Sequence, residues 1–426
     1  MLISFSVENF RSIRDLQTLS LESQSSDDHL LWSNTTEAAK RRLGKVAAVY
    51  GPNGSGKSNL IKAMIWFREF VLSSSKEGQA GEKIAVEPFL LSDFSAEQPS
   101  HFEIEFFWKD FEYRYGFTAT NEAIETEWLF RKQPGARPAR LFTREEGKIS
   151  SSSEFFKEGK GLESRTRSNA LFLSVCAQFA GPEAEKILLW FRQLRHISGL
   201  DDRGYLGFTA ERLSHEEHRT KLVEFARQAD FNIVDLDAEE LSEEKIPKEL
   251  PAELRKQILS GRAFSGIKTY YHKLNSNGEI IGRVEFDLTD DESQGTQKFI
   301  ALSGPITHTL EEGSILVIDE LEARLHPKLT QAIVDLFQSP VNDKNAQLIC
   351  ATHDVTLLEP ERFRRDQVWF CEKGHDGATS LFSLAEFDPQ KVRSTTKFSR
   401  QYMLGLFGAI PKLAHFQEAA AHATQE

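Results

Sequence analysis

The sequence predicts an α/β fold, because three short apolar runs each end in polar residues of a kind that bind ligands. The runs are Val46–Tyr50, which a glycine-rich stretch follows, Ile315–Asp319, which Glu320 follows, and Gln347–Ala351, which Thr352 and His353 follow. Apolar runs without alternation are typical of parallel strands buried on both faces. Open α/β sheets bind ligands at the carboxyl ends of such strands.

The first run leads into a stretch that fits a phosphate-binding P-loop. Its residues are Gly51, Pro52, Asn53, Gly54, Ser55, Gly56, Lys57 and Ser58, and a helix is predicted from Asn59 to Val71. Glycines let successive N–H groups point into one concavity, and the helix adds its positive dipole end. In such a loop the lysine reaches the β- and γ-phosphates and the serine ligates Mg²⁺. A chance glycine-rich turn is the alternative, and the flanking strand and helix argue against it.

The second run ends in two carboxylates, which are predicted to lie at the same ligand-binding edge of the sheet. Asp319 is predicted to hold Mg²⁺ through water, and Glu320 to polarise the water that attacks the γ-phosphate. An apolar run ending in Asp-Glu usually marks only a strand end. Together with the P-loop, it indicates nucleotide hydrolysis.

Two further positions have both a functional and a structural interpretation. One predicted helix separates the second run from the third, so the crossover rule places their strands side by side. His353 is then a candidate γ-phosphate sensor, although a histidine after a strand is more often a turn residue. Ser293, with Gly295 close by, is predicted to cap a helix that a ligand could approach. A simple helix cap is the alternative.

The order of these motifs resembles the ATP-binding-cassette (ABC) ATPase core, and within it the branch of SMC, RecF and OLD-type ATPases. This resemblance implies a mixed-sheet core with an antiparallel β-subdomain and an inserted helical lid, and ATP and Mg²⁺ as ligands. The "NFRS" turn of that branch places Arg11 and Ser12 near the nucleotide. Cassette signatures act on a partner's nucleotide, so Ser293 and Gly295 imply a head-to-tail, ATP-dependent dimer or a higher oligomer. Two departures are Gln294, where transporters have Gly, and Arg324, where many relatives have Ser.

A closer resemblance is to the RloA/AbiL-type abortive-infection ATPases. It rests on the stretch "NALFLS…AQF" at residues 169–179 and on the C-terminal pattern from Tyr402 to Pro411. Within the first stretch, Gln178 is a candidate for the Q-loop glutamine and hence a metal ligand. The resemblance implies a separate effector, a nuclease or toxin, in a two-component antiphage system.

Two other functions are alternatives to that one. A RecF-like ATPase of DNA repair or recombination is the runner-up. A nucleotide-dependent scaffold without turnover is disfavoured by Glu320. The stretch after His353 is shorter than an ordinary domain of about 100–150 residues, so we expect any destructive activity to come from another protein.

Composition is that of a cytoplasmic globular enzyme. The chain has 426 residues, 40% of them hydrophobic, a formal net charge of −12 and three cysteines without paired spacing. No apolar run has the length of a membrane span, so no membrane partner is expected. The negative charge argues against nonspecific DNA binding over the whole surface, while local basic clusters leave nucleic-acid binding open.

The motifs predict three regions. Residues 1–71 and 283–426 carry the nucleotide motifs and are predicted to form one ATPase core. Residues 72–180 are predicted to hold the antiparallel β-subdomain. Residues 181–282 are predicted to form a helical insertion or lid.

Overall fold

The computed structural model describes residues 1–24, 30–38, 40–201, 203–229, 231–241, 264–388 and 397–411. It has a mixed α/β fold, which confirms the predicted fold class, and divides into two compact units. Unit 1 comprises Met1–Leu194 and Ile349–Glu426, and unit 2 comprises Arg195–Leu348. The chain passes from one unit to the other within strand β11, Leu194–Ser198, and within strand β16, Gln347–Ala351.

Unit 1 contains most of the strands. They are β1 Leu2–Glu8, β2 Gln17–Ser20, β3 Thr35–Ala38, β4 Arg41–Gly44, β5 Val46–Tyr50, β6 Ser100–Trp108, β7 Phe111–Ala119, β8 Ile124–Lys132, β9 Ala139–Glu145, β10 Lys148–Ser151, β17 Val368–Lys373 and β18 Thr379–Ser383. Its helices are α1 Leu31–Asn34, α2 Lys57–Ser73, α3 Asp93–Ala96, α4 Phe172–Gln178, α5 Pro182–Gln193 and α10 Phe398–Met403.

A seven-stranded antiparallel sheet, in the order β10-β9-β8-β7-β6-β1-β2, carries the core of unit 1. Its strands alternate buried and less buried residues, as in β6, where every second residue from Ser100 to Phe106 is buried. The P-loop helix α2 packs its fully buried Phe67 against this sheet, with ring centroids 5.9 Å from Phe5 and 5.3 Å from Phe117. This aromatic packing sets the position of α2, and therefore of the loop before it.

A second group of strands in unit 1 carries the P-loop. Strand β5 lies between β16 and β17, with β18 beyond β17. Strands β5 and β17 are parallel, with Ala48 opposite Val368 and Tyr50 opposite Phe370. All five residues of β5 are buried. The uninterrupted apolar run therefore marks a buried parallel strand, as predicted.

Unit 2 contains helices α6 Arg203–Leu213, α7 Glu216–Arg227, α8 Gln294–Glu312 and α9 Pro327–Gln338. Its strands are β12 Asp235–Glu240, β13 Phe264–Leu274, β14 Ile280–Asp287 and β15 Ile315–Asp319. Strand β15 lies next to β16 in the strand order, as predicted, and its other neighbour is β11, which the sequence did not predict. Helix α8 packs against α6, where Thr209 Oγ1 donates to the carbonyl of Ala301 at 2.7 Å.

The prediction that residues 181–282 are helical is wrong for part of that segment. Strands β12, β13 and β14 form an antiparallel sheet in that order. The hairpin β13–β14 turns through Asn275 to Gly278, a polar turn between β-branched and aromatic residues that favours strands.

The antiparallel sheet of unit 1 also includes β1 and β2, which the sequence assigned to the core. Residues 242–263 and 412–426, parts of the predicted insertion and core, lie outside the described residues.

In the described part of the chain, no helix is both long and apolar enough to cross a bilayer. The thiols Cys176, Cys350 and Cys371 are all buried.

Candidate nucleotide-binding site

The P-loop between β5 and α2 has the backbone geometry of a phosphate cradle. Gly51, Gly54 and Gly56 have φ angles of +154°, +76° and +110°, in the region that favours glycine. A Cβ at Gly56 would lie 2.1 Å from Thr379 Oγ1, so no larger residue fits there. Gly56 is also the N-cap of α2, and it has no side chain to occupy the first N–H groups of the helix. These donors are left for an anionic ligand.

A set of hydroxyl and amide contacts holds the first turn of α2 in place. Thr379 Oγ1 donates to the carbonyl of Ser55 at 2.9 Å and lies 2.8 Å from Ser12 Oγ. Asn59 Nδ2 donates to the same Ser12 oxygen at 2.7 Å. The "NFRS" turn therefore contacts the P-loop helix through Ser12. The sequence did not single out Thr379, because it belongs to a distant strand with no motif of its own.

Lys57 is buried beneath the loop. Its ammonium donates to the carbonyl oxygens of Gly51 at 2.7 Å and Pro52 at 3.2 Å. The hydroxyl of Ser55 is buried in the same loop and has no hydrogen-bond partner among the described residues. A buried ammonium and an unsatisfied hydroxyl at a glycine cradle are polar groups suited to phosphate oxygens.

The P-loop opens into a cavity of about 810 Å³. His353 lies in this cavity together with Gly51–Ser55, so the loop and the candidate sensor face the same space. The cavity is lined by these residues and by Val355, Glu372, Lys373, Tyr402, Met403, Ile410 and Pro411. Burial raises the pKa of the nearby Cys371 thiol to about 12, so this thiol stays protonated at neutral pH.

The C-terminal pattern singled out in the sequence forms one wall of that cavity. Tyr402 is buried, stacks on Phe370 with ring centroids 5.4 Å apart, and donates its hydroxyl to the carbonyl of Ala409 at 2.8 Å. Burial raises the pKa of Tyr402 to about 12, so the phenol remains a neutral donor. Tyr402 thus packs in the core of unit 1. Met403, which is 64% exposed, lines the P-loop cavity. The sequence did not predict that this segment lies beside the P-loop.

The two carboxylates of the Ile315–Glu320 stretch lie in unit 2. Asp319 ends β15, and its Oδ1 atom is buried without a hydrogen-bond partner among the described residues. Glu320 follows with a φ of +56°, which residues with a Cβ rarely adopt. The N–H of Gly199 donates to the carbonyl of Asp319 at 2.6 Å. A Cβ at Gly199 would lie 1.9 Å from the carbonyl oxygen of Glu320, so the two backbones meet directly.

Ser293 and Gly295 also belong to unit 2. Ser293 is the N-cap of α8, and its Oγ accepts from the N–H of Thr296 at 3.2 Å, which confirms the predicted cap. A Cβ at Gly295 would lie 3.0 Å from the carbonyl oxygen of Arg324. The start of α8 therefore lies against the segment that follows Glu320. Sequence reasoning missed Lys298 on this helix, which is fully buried.

Arg11 and Gln178 do not line the P-loop cavity. Arg11 has a φ of +52° and pairs with Glu87, with its Nη2 atom 2.6 Å from Glu87 Oε1. Gln178 ends α4 and lines a different cavity of about 420 Å³ with Lys76 and Arg192. Their roles toward a nucleotide stay predictions.

A glycine cradle at a helix start with a buried lysine beneath it defines a P-loop, ATPase-type nucleotide-binding domain. The chain belongs to the family described as "AAA domain, putative AbiEii toxin, Type IV TA system", whose model matches residues 46–359. Membership of this family does not decide whether the chain is of the RloA/AbiL type. No curated protein matches the sequence significantly.

Several solved structures are similar to the chain at low identity. The SMC head domain from Thermotoga maritima has a TM-score of 0.41 at 15% identity, with 90% of this chain and 98% of that one covered. The recombination mediator protein RecF with ATP has a TM-score of 0.31 at 15% identity, covering 89% and 97%. CbiO1 from Clostridium perfringens, part of an ABC transporter complex, has a TM-score of 0.32 at 12% identity, covering 98% and 100%.

Proposed function

We propose that this chain binds ATP at the P-loop of unit 1 and hydrolyses it with Mg²⁺. The observation that carries the proposal is the cavity of about 810 Å³ in which the glycine cradle and His353 face the same space. The uncapped N-terminus of α2 and the buried Lys57 suit the β- and γ-phosphates. His353 is proposed to hydrogen-bond the γ-phosphate, and Arg11 and Ser12 to lie near the nucleotide.

The donor set of the chain fits Mg²⁺. Hydroxyl and carboxylate oxygens are the ligands that this ion takes from proteins. The buried Oδ1 of Asp319 has no hydrogen-bond partner among the described residues, as expected of an oxygen reserved for a metal or its water. Ser58 and Asp319 are proposed to hold the ion, and Gln178 is the third candidate. When bound, Mg²⁺ neutralises charge that develops on the phosphates.

Glu320 is proposed to polarise the attacking water, because a carboxylate next to the metal ligand can accept its proton. Lys57 holds the phosphates and does not take part in proton transfer. Phosphate binding belongs to unit 1, and the acidic groups belong to unit 2.

The signature residues are proposed to act on a nucleotide held by another protomer. Ser293 and Gly295 would contact the γ-phosphate of the partner in a head-to-tail dimer. The cap that Ser293 forms leaves the first N–H groups of α8 beside a glycine, an arrangement that suits an anion. The test is size-exclusion chromatography with light scattering, without nucleotide, with ADP and with ATP on the Glu320→Gln variant. A mass that stays monomeric in all three conditions contradicts the dimer.

The biological role we propose is control of a separate effector in a two-component antiphage system. The family description names a putative toxin and a Type IV TA system. The separate effector and the action against phage rest on the sequence resemblance. The test is co-expression of the chain with its neighbouring gene, followed by pull-down and phage challenge, with Lys57→Ala as the matched control. Protection that needs both genes and Lys57 is expected. Protection by the chain alone contradicts the proposal, and a repair defect without any effect on phage favours the RecF-like alternative.

A further inference from the structure

A buried lysine on α8 contacts a loop that the sequence motifs do not include. Lys298 is 0% exposed and lies five residues after Ser293. Its ammonium donates to the carbonyl of Gly199 and, at 2.9 Å, to the hydroxyl of Tyr205. It also lies 5.5 Å from the centre of the Tyr205 ring. Burying an ammonium costs free energy unless hydrogen bonds replace its lost hydration. Because of this cost, a lysine at a buried position indicates a specific role.

Gly199 in turn touches the backbone of the two candidate carboxylates. Its N–H donates to the carbonyl of Asp319 at 2.6 Å, and the approach to Glu320 leaves no room for a Cβ. A continuous path therefore runs from Lys298 through Gly199 to Asp319, and all of it lies within unit 2. The next residue, Glu320, has a φ of +56°. A strained backbone of this kind persists only where its surroundings hold it.

We propose that Lys298 is a positioning residue for hydrolysis. Through its contact with Gly199, it fixes the start of α8 relative to the backbone that orients the Glu320 carboxylate. The inference rests on the proposed function, because it takes Glu320 as the group that polarises water. Helix α8 carries Ser293 and Gly295 at its start, and Lys298 lies about one and a half turns further on. A ligand that shifts the start of α8 would thereby shift the carbonyl of Gly199, and with it Asp319 and Glu320. Lys298 touches neither nucleotide nor water in this scheme.

The first measurement is steady-state hydrolysis by Lys298→Met, which removes the ammonium but keeps the length of the side chain. We expect kcat to fall at least about tenfold while KM changes less than about threefold, because the P-loop belongs to unit 1. Lys298→Arg keeps donors for Gly199 and is expected to recover part of the loss. Tyr205→Phe is the matched control, since it removes one partner of Lys298 and leaves Gly199. Its kcat should stay within about twofold of wild type.

A double-mutant cycle with Glu320→Gln separates positioning from general damage. If Lys298 acts through Glu320, Lys298→Met should lower the residual rate of the Glu320→Gln variant by less than about twofold. A tenfold loss in both backgrounds would overturn the proposal, because it would show an effect independent of Glu320. A wild-type kcat in Lys298→Met would overturn it as well.

Hydrogen exchange tests the link without relying on turnover. Peptides that cover residues 196–201 and 315–325 should exchange at least about threefold faster in Lys298→Met, and at the wild-type rate in Tyr205→Phe. The peptide that covers β5 in unit 1 is the internal reference. Equal acceleration of all three peptides would indicate loss of stability and would reject a positioning role. If the wild-type chain hydrolyses no ATP, the proposed function fails, and the exchange pattern still decides whether Lys298 holds this loop.

Discussion

The P-loop of unit 1 and the acidic strand end of unit 2 differ in which residues adopt positive φ angles. In unit 1 the turns of the P-loop at Gly54 and Gly56 have positive φ angles that glycine adopts at no cost. In unit 2 Glu320 and Arg324 have φ angles of +56° and +64°, although both have a Cβ. Each such residue costs on the order of 1 kcal/mol, up to about 3. The conformation of the phosphate cradle therefore follows from its own glycines. The backbone at Glu320 and Arg324 instead needs tertiary contacts to hold its strained conformation.

This difference implies that binding and hydrolysis can be separated by mutation. Changes in the P-loop should alter nucleotide affinity, and changes around Glu320 should alter turnover at unchanged affinity. Four predictions test that separation, and a fifth concerns the pH dependence of the stability of unit 2.

The largest expected effect is that of Glu320→Gln on turnover. The amide keeps the size of the side chain but cannot accept a proton, so kcat should fall by about 10²–10⁴. The affinity for ATP should stay within about twofold, because the proposed phosphate site belongs to unit 1. Phosphate release and isothermal calorimetry measure the two quantities. Wild-type hydrolysis in this variant would show that Glu320 is not the group that polarises water.

The second prediction concerns the start of α8. Ser293→Arg puts a bulky side chain at the cap that would face the partner's γ-phosphate, so hydrolysis should fall about a hundredfold and ATP-driven dimerisation should be lost. ATP binding to the monomer should be unchanged. Light scattering and a fluorescent nucleotide titration check both results. Ser293→Thr, which keeps the capping hydroxyl, is the control for helix stability.

The third prediction concerns the lysine beneath the P-loop. Lys57→Ala would remove the proposed charge-assisted hydrogen bond to phosphate, which is worth about 1.5–3 kcal/mol, so ATP affinity should fall about 10- to 100-fold. A calorimetric titration with a nonhydrolysable ATP analogue gives the change directly. If the variant binds as tightly as wild type, the cavity of unit 1 is not the phosphate site.

A smaller effect is expected at the C-terminal wall of the cavity. Met403 and Leu404 are 64% and 66% exposed, but only Met403 lines the cavity. Met403→Ala should weaken ATP binding about two- to fivefold through lost apolar contact, and Leu404→Ala should leave it unchanged. Because both side chains are exposed, thermal stability should hardly change in either variant. Equal ATP affinities of the two variants would show that Met403 does not contact the nucleotide.

The smallest effect is a pH dependence in unit 2. Burial, together with the nearby charges of Arg195 and Arg212, lowers the pKa of His308 to about 4, while Glu311 acts in the opposite direction. Between that value and the ordinary pKa of about 6.5, the unfolded chain binds more protons at this site than the folded chain. His308 therefore contributes stability above about pH 6.5 that is lost as the pH falls toward 4. Melting curves from pH 4 to 8 should show a shallower acid decline in His308→Asn than in wild type, and identical declines would contradict this assignment.

The local signals in the sequence were sufficient for the secondary structure around the motifs. Strand β5 and helix α2 follow from an apolar run, three glycines and a helical pattern, all within about thirty residues. The cap at Ser293 was likewise predictable, since a side chain that bonds the N–H three residues on depends only on its neighbours. The hairpin β13–β14 was predictable too, because its turn and its alternating strands are local, and the helical interpretation overlooked them.

By itself the sequence determined the α/β class, the phosphate cradle and the pair of carboxylates, because each depends on residues adjacent along the chain. Only the tertiary structure decided that Thr379 packs against Gly56 and that Lys298 reaches Asp319 through Gly199. It also decided which residues of the C-terminal pattern line the P-loop cavity, namely Tyr402, Met403, Ile410 and Pro411. These contacts join residues about one hundred to more than three hundred positions apart. Packing decides which distant segments meet, and neither local propensity nor hydrophobic period carries that information.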